Sequence, residues 1–179
     1  EPNHFVVRPT DEWLDLCPMV IMSDPGSAGF SEADAAGLRA YLLKGGFLWA
    51  DDYWGPWAWE DFAREIAKVL PPAQYPIREL PLEHSVFRMM FNVTKVPQVP
   101  SIQFWWQSRG QTSEMGADSA RAHVAAITDA HDRIMVLMSH NTDVADSWER
   151  EGEDPGFFLQ FSPDGYALGI NVLLHAMTH

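Results

Sequence analysis

With 179 residues, 46% of them hydrophobic, the chain is long enough for one domain with a full apolar core. Its formal net charge of −13 argues against nucleic acid and anionic membrane as partners; solubility is the plain meaning of that charge, and a cationic ligand or metal the sharper one. Cys17 is the only cysteine, so no disulfide forms within the chain, and no apolar run reaches the length of a membrane span.

Residues 5–7 read as a short strand and 10–16 as a helical turn. Residues 18–22 are apolar throughout, a second, buried strand, and it ends in the turn Ser23-Asp24-Pro25-Gly26-Ser27. Ser31 suits a helix N-cap with Asp34 in the first turn, and the helix runs to about Lys44 with Leu38, Tyr41 and Leu42 on one face. Gly45-Gly46 stops it. Residues 47–50 then form a strand buried on both faces, and Asp51-Asp52 stand where it gives out. Trp54-Gly55-Pro56-Trp57 turns into a second helix over 57–70, buried through Trp59, Phe62, Ile66 and Val69 and stopped by Pro71-Pro72. Residues 76–80 read as a strand; the pattern weakens over 81–106, where Pro97 and Pro100 argue against a central strand, and 107–119 reads as a mobile polar loop. Two apolar runs, 123–128 and 133–139, make a hairpin around Asp129-Ala130-His131-Asp132, and the second ends in His140-Asn141-Thr142-Asp143. An acidic stretch over 149–154 is solvated, and a closing helix over 164–178 buries Ile170, Leu173, Leu174 and Met177.

The result is an α/β fold, expected as one domain over 1–179, in which 19–22, 47–50 and 134–138 are neighbouring buried strands. Parallel strands present their carboxyl ends on one side of a sheet, and open α/β sheets bind ligands there. The expected site is therefore the crevice between the Asp24, Asp51-Asp52 and His140-to-Asp143 loops. Carboxylates meeting there repel, which raises at least one pKa. Asp51 and Asp52 serve as a ligand or metal site or an acid/base pair, or else cap the next helix and bind loop amides. His140, Asn141 and Asp143 leave a strand of the same sheet, and imidazole with carboxylates suits a transition metal, against a plain reading of loop hydrogen bonds. His84 would have to fold back to reach the crevice as base or ligand, and a surface histidine is the simpler reading. His175 and His179 share a helix face at a spacing that can chelate, but an exposed helix end explains them equally. Trp54, and Trp105 or Trp106, are the indoles expected near a pocket, where they can stack on a saccharide or another flat ligand. Cys17 precedes its strand, the wrong end for a nucleophile, and Ser23 lacks the small neighbours of a nucleophile elbow.

Residues 45–55, Leu80-Pro81-Leu82-Glu83-His84-Ser85-Val86-Phe87, Val96-Pro97-Gln98-Val99-Pro100-Ser101-Ile102, Ser139-His140-Asn141-Thr142-Asp143 and Gly169-Ile170-Asn171-Val172 resemble, in this order, the bacterial family called domain of unknown function 4159. The resemblance covers nearly the whole chain. It implies a flavodoxin-like, class I glutamine amidotransferase-like three-layer sandwich with a mostly parallel sheet, and it implies no particular activity. Members of the family usually carry an additional N-terminal segment with a first strand, and many look exported. The chain opens at Glu1 without a signal peptide, which reads as a processed or trimmed product of periplasmic or otherwise exported origin, with the cytoplasm as the alternative. The resemblance and the absent nucleophile imply an uncharacterised, non-nucleophilic ligand-binding or scaffolding module. A hydrolase using Asp51, Asp52, His84 or Asp143, with or without a divalent metal bound through Asp51, Asp52 or His140, is the alternative, and a structural interaction module a third. No cofactor is expected. A small molecule or saccharide is the expected ligand, and a protein partner or second copy is expected to cover the edge left at the N-terminus.

Overall fold

The computed structural model describes residues 5–178. In chain order the elements are β1 (Met19–Ser23), α1 (Glu32–Leu43), β2 (Phe47–Asp51), α2 (Gly55–Val69), β3 (Arg78–Glu79), α3 (Ile102–Gln107), β4 (His123–Thr128), β5 (Ile134–His140), α4 (Asp146–Glu149) and α5 (Pro155–Thr178). The five strands form one sheet in the order β1-β2-β5-β4-β3. β1, β2 and β5 are parallel, with Val20 beside Leu48 and Leu48 beside Val136. β4 and β3 continue the sheet antiparallel.

Local chemistry sets the boundaries of α1. The Ser31 hydroxyl accepts the Asp34 N–H at 3.2 Å while the Asp34 carboxylate accepts the Ser31 N–H at 3.1 Å, a reciprocal N-terminal cap worth about 0.5–2 kcal/mol. At the other end Gly45 takes a φ of +118°, its N–H bonds Leu42 O, and the Gly46 N–H bonds Tyr41 O. Those two backward bonds use carbonyls that the helix end leaves open. A side chain at Gly46 would overlap the Tyr41 ring, so the pair also lets β2 start close beneath the helix.

β2 is buried at every position. Its alternation divides the core: Leu48 and Ala50 join Leu38, Leu42, Phe62 and Ile66 on the α1/α2 face, whereas Phe47 and Trp49 join Phe87, Leu137, Leu168 and Val172 on the α5 face. The architecture is thus helices, sheet, helix.

Several expectations change. Residues 5–7 form no strand. β1 is the neighbour of β2 as expected, but it is the sheet edge: Ile21 is 48% exposed, so the strand is not buried on both faces. The strand expected over 76–80 shrinks to two exposed residues. Residues 107–119 are tied down rather than loose, with Thr112 Oγ1 on Gln98 at 2.8 Å, the Ser101 N–H on Glu114 at 2.7 Å and a short 3-10 helix over Gly116–Ser119. α2 starts at Gly55, two residues early. α5 starts nine residues before the expected 164 and carries Pro163 on an exposed position. Its buried stripe is Phe157, Phe161, Ser162, Gly165, Leu168, Asn171, Val172 and His175, while Leu173 and Met177 face solvent. The stripe is displaced because three polar residues, Ser162, Asn171 and His175, lie in it. Asn171 earns its place by accepting the Met90 and Phe91 N–H groups at 2.9 Å and donating to Phe91 O at 2.8 Å. Gly165 and Gly169 complete the contact with α4, since a Cβ on the first would overlap Ser147 and on the second Trp148.

Candidate functional site

The carboxyl ends of β1, β2 and β5 lie side by side, and the chain leaves all three through a residue of positive φ: Asp24 at +49°, Asp52 at +61° and Asn141 at +61°. Among residues with a Cβ, Asp and Asn enter this left-handed region most readily, which explains their choice at three equivalent turns. Two loops then stay paired beyond the sheet, through Asp52 N–H to Thr142 O at 3.2 Å and Asn141 N–H to Tyr53 O at 3.0 Å. The end of β5 also grips the first residue of α2. The Asn141 side-chain oxygen accepts the Gly55 N–H at 2.8 Å, and His140 Nε2 donates to Gly55 O at 2.9 Å. Neither Asp51 nor Asp52 caps α2; its N-cap residue, Trp54, makes no side-chain cap, and Asn141 supplies the acceptor from across the sheet.

The carboxylates divide by environment. Asp51 follows the alternation of Phe47 and Trp49 and is buried. The Ser139 hydroxyl donates to it at 2.5 Å and the Ala145 N–H at 3.0 Å, while Trp49 Nε1 donates to Ser139 at 2.8 Å. Asp51 therefore ties the chain after β5 to β2. Burial pushes its pKa up to about 7, against the pull of those donors and with a further push from Asp52. Asp143, also buried, accepts the Asp146 N–H at 3.1 Å. Burial, then the charges of Asp52, Asp51 and Asp146, push it up to about 9. Asp146 accepts the Ile102 N–H at 3.2 Å and pairs with Arg150, and burial raises its pKa. Asp52 is the open member, half-buried, with Ser23 donating to one oxygen at 3.2 Å and Trp54 Nε1 to the other at 3.3 Å. Burial raises its pKa first, opposed by those two donors, and the charges of Glu114 and Asp24 raise it further.

The segment between Pro97 and Arg121 crosses these strand ends and is fastened to them. The Asp143 N–H bonds Val99 O at 2.8 Å, the Val99 N–H bonds Thr142 Oγ1 at 3.0 Å, and Gln98 Nε2 bonds Asn141 O at 3.1 Å. Buried Asp51 and Asp143 and half-buried Asp52 thus gather at the carboxyl ends of β1, β2 and β5, with the Trp54 indole bonded to Asp52. Among the described residues, no three His, Cys, Asp or Glu side chains are arranged to hold a metal ion.

The structure brings Asp24, Asp51, Asp52, Trp54, His140, Asn141 and Asp143 to this one end, but in different roles. Asp24 is exposed and bonded to Ser27. His140 is buried against Tyr53, Trp59 and His123, with ring centroids 4.9–5.0 Å away. Burial drives its pKa down to about 4, against the Gly55 carbonyl and helped by His123, which favours the neutral imidazole. His84 stands at the opposite end. It caps a 3-10 turn through the Val86 N–H, and its ring is 5.9 Å from that of His175, which lies beside Gly45, Phe47 and Ile134 at the starts of β2 and β5. His175 is buried, not exposed as expected, and His179 lies outside the described residues. Trp105 packs edge-on against Phe157 and Phe161, and Trp106 bonds Asp154 at 3.2 Å, so both belong to the α3/α5 side. Cys17 is half-buried just ahead of β1. Glu114, Asp146, Ser139 and His123 were not singled out from sequence. Asp143 and Asp146 carry the three-residue spacing of a capped turn, which is a legible signal; Glu114 sits in a stretch with no periodicity and gives none.

Fold and site together define an α/β domain whose carboxylates gather at the carboxyl ends of its parallel strands. The chain belongs to the family described as a domain of unknown function (DUF4159), whose model matches residues 1–177. No curated protein matches it.

Proposed function

We propose that the domain is a non-nucleophilic binding or scaffolding module whose acidic crevice takes a small hydroxylated or cationic molecule, a saccharide first among them. The observation that carries this reading is the gathering at one sheet end of buried Asp143, whose proton affinity burial and nearby carboxylates raise, and half-open Asp52 with the Trp54 indole bonded to it. A hydroxyl donor, an acceptor and an aromatic face are the groups that sugar recognition uses. Asp51, Asp146 and Glu114 each accept a backbone N–H, which suits a scaffolded site. Cys17 stands at the far end of β1, and the Ser23 hydroxyl is given to Asp52. Parallel β1, β2 and β5 between helices on both faces support the flavodoxin-like, amidotransferase-like arrangement, and the family resemblance supports an exported location. Thermal shift against a panel of neutral mono- and disaccharides and spermidine tests the reading: a ligand that raises the melting temperature of the parent and not of Asp52→Asn supports it, and a shift that survives the substitution refutes it.

One observation favours a hydrolase as the second reading. Carboxyls gathered at one site but unequally exposed, Asp143 buried and Asp52 half-open, are an arrangement from which an acid and a base can be drawn. In that case Asp143 is the acid and Asp52 the base, and Asp143→Asn abolishes turnover of the bound ligand while leaving its binding intact.

A further inference from the structure

The Tyr53 hydroxyl and His140 Nδ1 are buried polar atoms with no hydrogen-bond partner among the described residues, and they belong to one cluster. His123 and His140 lie directly opposite each other in the β4–β5 register, so both side chains leave the same face of the sheet. Their ring centroids are 5.0 Å apart. Tyr53, between β2 and α2, places its ring 4.9 Å from that of His140. Trp59 of α2 closes the group, 5.0 Å from His140 and 5.2 Å from His123. Tyr53 and His140 are 1% and 4% exposed, and half-buried His123 gives the cluster its access to solvent.

The Gly55 carbonyl can only accept, so His140 Nε2 carries the ring proton and Nδ1 the lone pair. A buried lone pair and a buried hydroxyl left in this way are costly, and each calls for an explanation. One ring nitrogen tethered to a backbone carbonyl while the other stays open is the arrangement of a metal-ligating histidine. Burial is the main cause that lowers the pKa of His123 and takes that of His140 down to about 4, which favours the neutral rings that a metal needs. Two imidazoles on one tetrahedral ion, at zinc–nitrogen distances of about 2.0–2.1 Å, hold their centroids about 5 Å apart, the separation found between His123 and His140. A chain of net charge −13 also draws cations.

From these contacts we propose that His123 and His140, with the Tyr53 hydroxyl as a third donor, form a site for one divalent transition-metal ion of the zinc class. Imidazole suits such ions, whereas calcium and magnesium take oxygen ligands. A bound ion joins the start of β4 and the end of β5 to the turn that enters α2, and so stabilises the folded chain. No carboxylate takes part, so the inference is independent of the Asp52 crevice.

Calorimetric titration of the metal-free chain with zinc chloride is the test, together with proton–nitrogen spectra of the imidazole rings along the titration. The expected result is one zinc per chain, saturating shifts of the His140 and His123 ring nitrogens, and an affinity weakened about tenfold or more in His123→Phe. Phenylalanine keeps an aromatic ring against Trp59, and the imidazole spectra of the parent identify the site without any substitution. No binding up to about 100 µM zinc, the outcome for an aromatic cluster that only packs, overturns the proposal. Zinc that shifts only other histidines, or zinc whose affinity His123→Phe leaves unchanged, overturns it too.

Discussion

Asp143 is the residue whose chemistry has the clearest consequence. Its folded pKa, about 9, lies above the ordinary carboxyl value, so the folded state holds a proton that the unfolded chain gives up. The associated stability is fully present below the ordinary carboxyl range and is lost as pH rises through about 9. Asp51, pushed to about 7, acts in the same direction at lower pH. His140, depressed to about 4, acts oppositely, because its stability is lost as pH falls below the ordinary imidazole value. The window from about pH 7 to 9 is therefore dominated by Asp143. The unfolding free energy should fall across it by up to about 1.4 kcal/mol per pH unit, and Asp143→Asn should flatten the fall; an unchanged slope refutes the assignment. Asp52 differs because its backbone matters as much as its charge. Asn tolerates a φ of +61° and Ala does not, so Asp52→Asn should melt near the parent while Asp52→Ala loses about 1 kcal/mol or more. Equal melts for the two variants contradict this. None of it was visible from the dipeptide Asp51-Asp52 alone: alternation says that the two face opposite ways, but only the fold tells which one meets Ser139 and Ala145 and which meets Ser23.

At the scale of elements, the features that depend on near neighbours were legible. The Ser31 cap, the Gly45-Gly46 stop and the apolar run of β2 are written in a few adjacent residues, and each appears in the structure. Features that depend on distant partners were not. The core stripe of α5 was misplaced because an apolar count ignores Asn171, whose burial is offset by Met90 and Phe91, some eighty residues away. The cap of α2 was sought in Asp51-Asp52 and comes from Asn141, 86 positions distant from Gly55. That clamp gives a test. Asn141→Gly keeps the left-handed backbone but removes the acceptor from the Gly55 N–H and the donor to Arg121 O, and should cost about 1–3 kcal/mol. Slower amide exchange in the first turn of α2 than in the parent would contradict it.

For the whole molecule, the α/β class and the side of the sheet where polar loops gather were readable, because parallel strands force their ends together. Strand order was not. An apolar run such as 19–22 looks the same at a sheet's edge as at its centre, and β1 proved to be the edge. Nor did the sequence separate Trp54, beside Asp52, from Trp105 and Trp106, which turn toward α5. Among the described residues no helix is long and apolar enough to cross a membrane. The central claim concerns the cleft where β1, β2 and β5 end, and backbone NMR reads it most directly. In a titration with the saccharide or polyamine that gives the largest thermal shift, amide resonances of 23–24, 52–55 and 140–143 should move together and saturate, and Asp52→Asn should abolish the movement. Saturable changes confined to residues elsewhere, or an unchanged response in Asp52→Asn, would contradict the account.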